Sequence, residues 1–442
     1  ARRQRGRCHC HQPAGRVCCR RRGRSRLSPG DHFGRLGLHG GAGRGPLPRA
    51  AQVAGRIGAR LKAQYLTHIR AVAADQWNAL AAGHPFLRHE FLSALEDSGC
   101  ASPDSGWTAQ HLTLCDQHGL AAAAPLYRKS HSWGEFVFDF AWARAYEQQG
   151  LEYFPKLLCA IPFTPATGPR LLCRPDLPAA PLRAALLSAM RERVQSERLS
   201  SAHSLFLDDA GRGACAAAGW LLRRDCHFQW RNRGYRDFGD FLDAFSAEKR
   251  KKARRERRRV LEQGIEFQTL DGTQLDDAQL ESIYDFHALT FIRHGHTPYL
   301  NRSFFTRVAR ALGPAFLVKL AQHGGRPVAA AVFFRSADTL YGRYWGAEAE
   351  YHSLHFETCY HQGIDYCIEH GLQRFEPGTQ GEHKIARGFE PVITWSAHWI
   401  ANAPLRRAIG AYLEREGGAI DAYAHEADAH APFRKTAATD PG

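Results

Sequence analysis

From Leu61 onward, short apolar runs alternate with polar stretches punctuated by glycine and proline, and the apolar period changes along the chain. Gln76–Leu80 and Phe86–Glu96 place apolar residues at three-to-four spacing, which predicts two helices, the second entered by Pro85. Strands are predicted at His111–Asp116, at Leu120–Lys129 after a Gln117-His118-Gly119 turn, and at Glu135–Trp142, where Phe136, Phe138 and Phe140 alternate. The same order returns about 205 residues later. Phe316–Ala321 leads through Gln322-His323-Gly324 into Pro327–Arg335, and Leu340–Gly346 supplies a third, aromatic strand. A helix-length segment follows each set, Glu147–Ala160 and Tyr351–Gly371. The matching order predicts two copies of one mixed α/β unit, residues 61–230 and 231–430, with a flexible tail at 431–442.

Further helices are predicted at Phe241–Leu261, Leu280–Phe291 and Asn301–Gly313, the last stopped by Gly313-Pro314. The middle of the first, Lys249–Arg259, holds nine bases and one acid in eleven residues. Cationic density of this order holds phosphate, although charge runs are commonly solvated helix faces.

The net charge of +15 invites a nucleic-acid reading that its distribution removes. Residues 1–60 contain 15 arginines and one acid, whereas the other 382 residues hold 44 bases and 43 acids. The body is close to neutral, so the overall charge says little about partners. The first segment lacks a sustained apolar period and is expected to be a disordered arginine-rich extension. Three origins for it stay open: sequence translated upstream of the true start, a transit peptide, or a basic nucleic-acid arm. No apolar core follows the basic start, against a secretory signal. Cys8, Cys10, Cys18 and Cys19 lack the paired spacing of common zinc modules. The other eight cysteines sit in apolar surroundings, as buried thiols of a reducing compartment do. No run approaches the ~20 apolar residues of a membrane span. A soluble, cytoplasmic protein is expected.

The densest chemistry lies in Glu376–Pro391, where acids, an imidazole, a lysine and an arginine crowd between glycines. Such a loop suits a site better than a core. Arg293-His294-Gly295-His296 places two further histidines before a proline-limited turn. His352, His355 and His361 form a conceivable zinc set, but no H-E-x-x-H is present and no metal is expected.

Three separated motifs then carry a resemblance: Pro125–Trp142, Pro162–Leu172 and Gly381–Val392. Over roughly residues 65–435 the chain resembles the N-acyltransferases of the FemAB-like family, which carry the label of peptidoglycan biosynthesis or recognition. The resemblance implies an α/β protein of two tandem GNAT-like acyltransferase domains, each a mixed, mostly antiparallel sheet flanked by helices. Related Fem peptidyltransferases move an amino acid from aminoacyl-tRNA onto the amine of a cell-wall precursor. Their second domain has a basic helix and a lysine before a Gly-Phe pair. Lys249–Arg259 resembles the helix, implying a tRNA contact, and Lys384 or Arg387 before Gly388-Phe389 resembles the lysine. GNAT enzymes that use acetyl-CoA carry an R/Q-x-x-G-x-G/A loop on the pyrophosphate. Here Arg343-Tyr-Trp-Gly346-Ala-Glu348 puts a glutamate at the second glycine. No cofactor is certain; the cosubstrate is an acyl-CoA or an aminoacyl-tRNA.

Acyl transfer to an amine needs a proton acceptor, a stabilised oxyanion and an acid for the leaving group. Glu382 or His383 is the expected acceptor, Lys384 and Arg387 the expected anion holders, and Tyr344 the expected acid. Arg343, Trp345 and His294 are expected at the substrate. In the first unit, Lys129, His131, Glu135 and Asp139 are expected at the amine-bearing acceptor. The competing class is a non-catalytic GNAT-fold binder of peptidoglycan fragments or RNA. The oligomeric state is not readable from the sequence.

Overall fold

The computed structural model describes residues 61–379 and 381–434. The arginine-rich extension at 1–60 and most of the tail lie outside them. Fifteen strands are described: β1 Lys62–Leu66, β2 Trp107–Ala109, β3 His111–Asp116, β4 Gly119–Ala124, β5 Leu126–Lys129, β6 Lys156–Cys159, β7 Leu172–Cys173, β8 Ser201–Ser204, β9 Leu221–Arg231, β10 Ile265–Asp271, β11 Phe316–His323, β12 Arg326–Arg335, β13 Thr339–Ala347, β14 Arg374–Glu376 and β15 Glu390–Ile400. They form a four-stranded sheet, β1-β3-β4-β7, and an eleven-stranded sheet, β10-β11-β12-β13-β14-β9-β15-β8-β6-β5-β2. Pairing is antiparallel except at β6–β8 and β13–β14. The mixed, mostly antiparallel α/β class expected from the sequence is the one observed.

The expected boundary between residues 230 and 231 does not divide the large sheet. β9 pairs with β14, and β15 pairs with both β8 and β9, so the sheet runs unbroken from one half of the chain to the other. The aromatic core crosses as well. Phe334 of β12 packs against Phe86 (ring centroids 4.9 Å apart), Phe91 (5.6 Å) and Phe316 (5.3 Å). Val328–Phe334 is apolar at every position because both faces of β12 are covered.

Several elements differ from expectation. The strand predicted at Leu120–Lys129 breaks at Pro125, and its two parts join different sheets as β4 and β5. Pro125 brings no N–H to a ladder. Glu135–Trp142 is not a strand. Glu135 and Asp139 turn inward to the buried Lys156, Phe136 has φ 61°, and Phe140–Gln148 is helical. Burying the ion pairs overrides the two-residue alternation. The helix expected at Glu147–Ala160 ends early, and β6 follows. Phe241–Leu261 is two helices, Phe238–Asp243 and Ala247–Glu262. At the break, Ser246 N–H donates to Pro432 O (2.9 Å), while Arg434 N–H reaches Ala244 O (3.0 Å). The start of the expected flexible tail is therefore pinned. Leu354–Phe356 and Gln362–Glu369 are helical as expected, joined by a π turn at Glu357–His361. No helix among the described residues is long and apolar enough to cross a membrane.

Because Phe334 ties residues of both halves into one core, Phe334→Ala is expected to cost about 3–5 kcal/mol. Urea unfolding followed by tryptophan fluorescence and circular dichroism should show a single transition at lower midpoint, not the loss of one half.

Candidate functional site

β13 and β14 run parallel over only three pairs, Thr339↔Arg374, Leu340↔Phe375 and Tyr341↔Glu376. Pro377 then ends β14, while β13 continues to Ala347, so the strands part at Gly342. On the other side of β13 the register with β12 slips between Val332 and Phe333 and leaves Arg343 without a partner. Bulges of this kind re-aim a side chain, often beside a site. Arg343 donates to Phe163 O (2.8 Å), far away in sequence.

Glu376 ends β14 in this opening. Its carboxyl accepts from Gln229 Nε2 (3.0 Å) on β9 and from Thr167 N–H (3.3 Å). Burial pushes the carboxyl up to about 7, against the Thr167 N–H and the charges of Arg374, Arg170 and Arg343. Lys384 is 2% exposed and donates to Gly378 O (2.7 Å). Burial lowers its ammonium to about 7; Cys359 opposes the shift and the positive Arg343 adds to it. His227 on β9 is lowered to about 4, chiefly by burial. The positive charge of Arg343 thus reaches both the Glu376 carboxyl and the Lys384 ammonium.

The loop expected to carry the chemistry is a 3₁₀ helix, Glu382–Arg387, held between Gly381 (φ 108°) and Gly388 (φ 85°). A Cβ on Gly388 would stand 2.7 Å from the Phe241 ring, so this position needs glycine for space as well as for φ. Glu382 and His383 lie on the exposed rim. Tyr423 Oη donates to Glu382 (3.0 Å), and His383 Nε2 meets Tyr360 Oη (2.8 Å). Arg387 is committed to structure. It donates to His383 O (2.7 Å) and Glu256 (2.9 Å), and its guanidinium lies 3.5 Å from the Phe356 ring centre.

Other expected residues do not join this group. Tyr344 is buried among His287, Phe305 and Phe334, and burial raises its hydroxyl well above the usual range. Core packing, not acid catalysis, accounts for it. Trp345, on the other face of β13, packs on His355 (5.4 Å). His294 is exposed at the end of the helix Asp277–Arg293, its Nδ1 on Thr290 O (2.7 Å). Lys129 is fully buried over Trp107 and donates to Trp133 O (3.2 Å). Asp139 is buried on Lys156 (2.5 Å), and neither it nor Lys129 offers a surface to an acceptor. His352, His355 and His361 take separate partners: Ser353, Trp345 and Glu357.

A cavity of about 230 Å³ adjoins the opening. Phe138, Arg223, Asp225, His227, Thr379 and Ser396 line it, with Thr379 in the turn between β14 and the 3₁₀ helix. The FemAB-like family model, described as peptidoglycan biosynthesis/recognition, matches residues 68–435. The chain belongs to the FemAB-like family. No curated protein matches it. Among solved structures similar to this FemAB-like chain, FemX is 13% identical, covering 77% of this chain and 98% of its own, with a TM-score of 0.48. A tandem GNAT protein from the clavulanic acid biosynthesis pathway is 13% identical over 77% of this chain and 99% of its own, TM-score 0.42. The C-terminal domain of a candidate lysylphosphatidylglycerol synthetase from Agrobacterium fabrum is 10% identical over 76% of this chain and 94% of its own, TM-score 0.46.

Glu376, Gln229 and His227 had no assigned role in the sequence reading. One signal was available, since Glu376 heads the glycine-rich loop directly after a predicted helix. Its partners come from β9 and from Thr167, which no local pattern connects to it.

Lys384 makes a pH prediction. Its folded value near 7 lies below the ordinary lysine range, so between about pH 7 and about pH 10 the unfolded FemAB-like chain binds more protons than the folded one. Stability therefore rises with pH across that window, by at most about 1.4 kcal/mol per unit from this group. Lys384→Met should flatten the rise, read as denaturant midpoints at a series of pH values.

Proposed function

We propose that this FemAB-like protein is an N-acyltransferase that moves an acyl or aminoacyl group onto an amine of a peptidoglycan-type acceptor in the opening between β13 and β14. The observation that carries the reading is Glu376, a carboxyl held near 7 at the point where the strands part, with the charge of Arg343 acting on both it and Lys384. A base poised near neutrality is what proton transfer from an attacking amine needs. Glu376 takes the proton that the amine loses on attack and returns it to the departing oxygen or sulfur. Arg343 and Lys384 stabilise the negative charge that develops on the carbonyl oxygen. Glu382 and His383, on the rim, bind rather than react. The two halves, each with one parallel strand pair, are read as tandem GNAT-like units, and the second carries the chemistry.

For the donor, the turn after β13 does not suit a pyrophosphate. A Cβ on Gly346 would stand 1.9 Å from Phe286 O, so this glycine serves packing against the helix Asp277–Arg293. Glu348 and Glu350 follow it, and Glu348 is paired with Arg326 (2.7 Å). An aminoacyl-tRNA suits the surface better. On the helix Ala247–Glu262, Lys251, Lys252 and Arg255 are exposed, whereas Glu256 and Arg257 turn inward to Arg387 and to Glu357 and Asp365. The exposed face is a docking surface for a polyanion, tied to the site loop by these inner pairs. The reaction is placed in the cytoplasm, where both substrates are available.

Incubation with labelled aminoacyl-tRNA and an amine-bearing peptidoglycan precursor should give amide product by mass spectrometry. Glu376→Gln is expected to lower the rate about 10²–10⁴-fold. Acceptor binding with no transfer from any ester or thioester donor would make the protein a binder instead. The triple change Lys251→Ala, Lys252→Ala, Arg255→Ala should weaken tRNA binding and reduce its log–log salt slope by about 3. An unchanged slope would remove the helix from the tRNA surface.

A further inference from the structure

One motif of the sequence, Pro162–Leu172, takes no part in the chemistry proposed above. Its loop, which joins β6 to β7, nevertheless meets both Glu376 and Arg343. Thr167 N–H donates to Glu376 Oε2 (3.3 Å), and Phe163 O accepts from Arg343 Nη2 (2.8 Å). Both contacts use backbone atoms of the loop, so their aim depends on its path. That path is pinned closely. Phe163 stands at φ 56°, a conformation that a bulky residue keeps only where its surroundings impose it. Its N–H donates to Gly134 O (3.2 Å), and its ring stacks on Tyr299 (centroids 4.6 Å apart). Gly168 N–H donates to Phe206 O (3.1 Å), and Gly168 O accepts from Asp208 N–H (3.3 Å). Burial lowers His84 to about 3, so its ring is neutral, and the Nε2 that meets Thr167 O (3.2 Å) carries the hydrogen.

The peptide between Ala166 and Thr167 has a further partner. Arg170 Nη2 donates to Ala166 O (2.5 Å), on the side of the planar trans unit opposite the Thr167 N–H. A guanidinium, one peptide and a carboxyl therefore stand in a row, with Arg170 on the oxygen and Glu376 on the N–H. Arg170 is fully buried, and burial lowers it only to about 10, so it stays charged at neutral pH. Its other bond goes to Pro169 O (3.2 Å), and its Nε has no partner among the described residues. Neither bond reaches a carboxylate. A buried cation held by carbonyls alone is costly, and a neutral donor would hold the same carbonyls. The charge is felt at Glu376. Burial disfavours the ionised carboxyl there, while the Thr167 N–H and the charges of Arg374, Arg170 and Arg343 favour it. A donor on its oxygen also polarises a peptide and strengthens the bond made by its N–H.

We propose that Arg170 is a positioning residue that acts on Glu376 through the Ala166–Thr167 peptide, so that a loop of the first half governs the carboxyl at the opening. Arg170 holds the peptide, the peptide turns its N–H to Oε2, and the same loop carries Phe163 O to Arg343. This role rests on the acyl-transfer reading for its purpose, whereas the titration of Glu376 can be followed with no donor present. Taking away the Arg170 charge or the Thr167 N–H takes away support for the ionised carboxyl, so Glu376 is expected to titrate at higher pH. Gln229, Arg374, Arg343 and Tyr341 also face Glu376 and are left unchanged.

The test is an infrared pH titration of the full chain, with the Glu376 carboxyl band identified by its loss in Glu376→Gln. In Arg170→Met, similar in length but uncharged, the midpoint is expected about one pH unit above that of the wild type. Replacing Thr167 by its α-hydroxy acid analogue puts an ester oxygen where the N–H stands and keeps every side chain. It is expected to raise the midpoint as well. The two changes together are expected to move it by less than the sum of each alone, because both interrupt one chain. An unmoved midpoint in the ester variant or in a folded Arg170→Met, or fully additive shifts, would overturn the role. Circular dichroism establishes folding, and the ester variant decides alone if Arg170→Met does not fold. With donor and acceptor added, the acidic limb of kcat/KM is expected to move with the midpoint. A midpoint that moves while the limb stays would keep the role of Arg170 and remove Glu376 as the base.

Discussion

The structure depends on a reciprocal exchange of strands. β9 leaves the first half of the chain to pair with β14, and β15 leaves the second to pair with β8. The two exchanged strands pair with each other over nine registers, from Glu390↔Gln229 to His398↔Leu221. Removing either half would expose a long ladder of unpaired amides and carbonyls on the other. The exchange also sets up the chemistry. It brings Gln229 of β9 to Glu376, and it brings His398 of β15 to His203 of β8. Arg343, Glu376 and Lys384 lie in the second half, and the first half supplies the Gln229 amide that holds Glu376.

Much of the fold was legible, for local reasons. The hairpins at Gln117-His118 and Gly324-Gly325, the apolar run of β12 and the amphipathic helices before β11 all follow from period and turn chemistry. What failed failed where long-range burial overrode local pattern. Phe136, Phe138 and Phe140 alternate like a strand, but Glu135 and Asp139 between them answer to Lys156, about twenty residues on. The exchange of β9 and β15 left no trace that periodicity records, since each strand reads the same whichever neighbour it takes. The glycine-bound loop was rightly singled out as dense in chemistry, yet its roles were assigned by residue type. Exposure and partners put Glu382 and His383 on the rim, commit Arg387 to Glu256, and shift the weight to Glu376.

Burial is the common cause of the unusual ionisation here, with opposite results according to partners. Lys384 and Glu376 lack a close opposite charge that fully offsets burial, and both sit near 7. Lys156 and Asp139 are also buried but hold each other's charge. The first pair suits groups that exchange protons, and the second suits groups that fix a hydrogen-bond direction.

The helix Ala247–Glu262 separates two kinds of specificity by face. Glu256 and Arg257, adjacent and opposite in charge, look inward and pair with Arg387 and with the π turn at Glu357–His361, while Lys251, Lys252 and Arg255 look outward. The outer face is therefore free to change with the partner it meets without disturbing the geometry beneath it, whereas exchanging Glu256 and Arg257 would disturb that geometry with no change in net charge. Substitution on the outer side of this one element changes its surface charge and leaves the inner pairs in place.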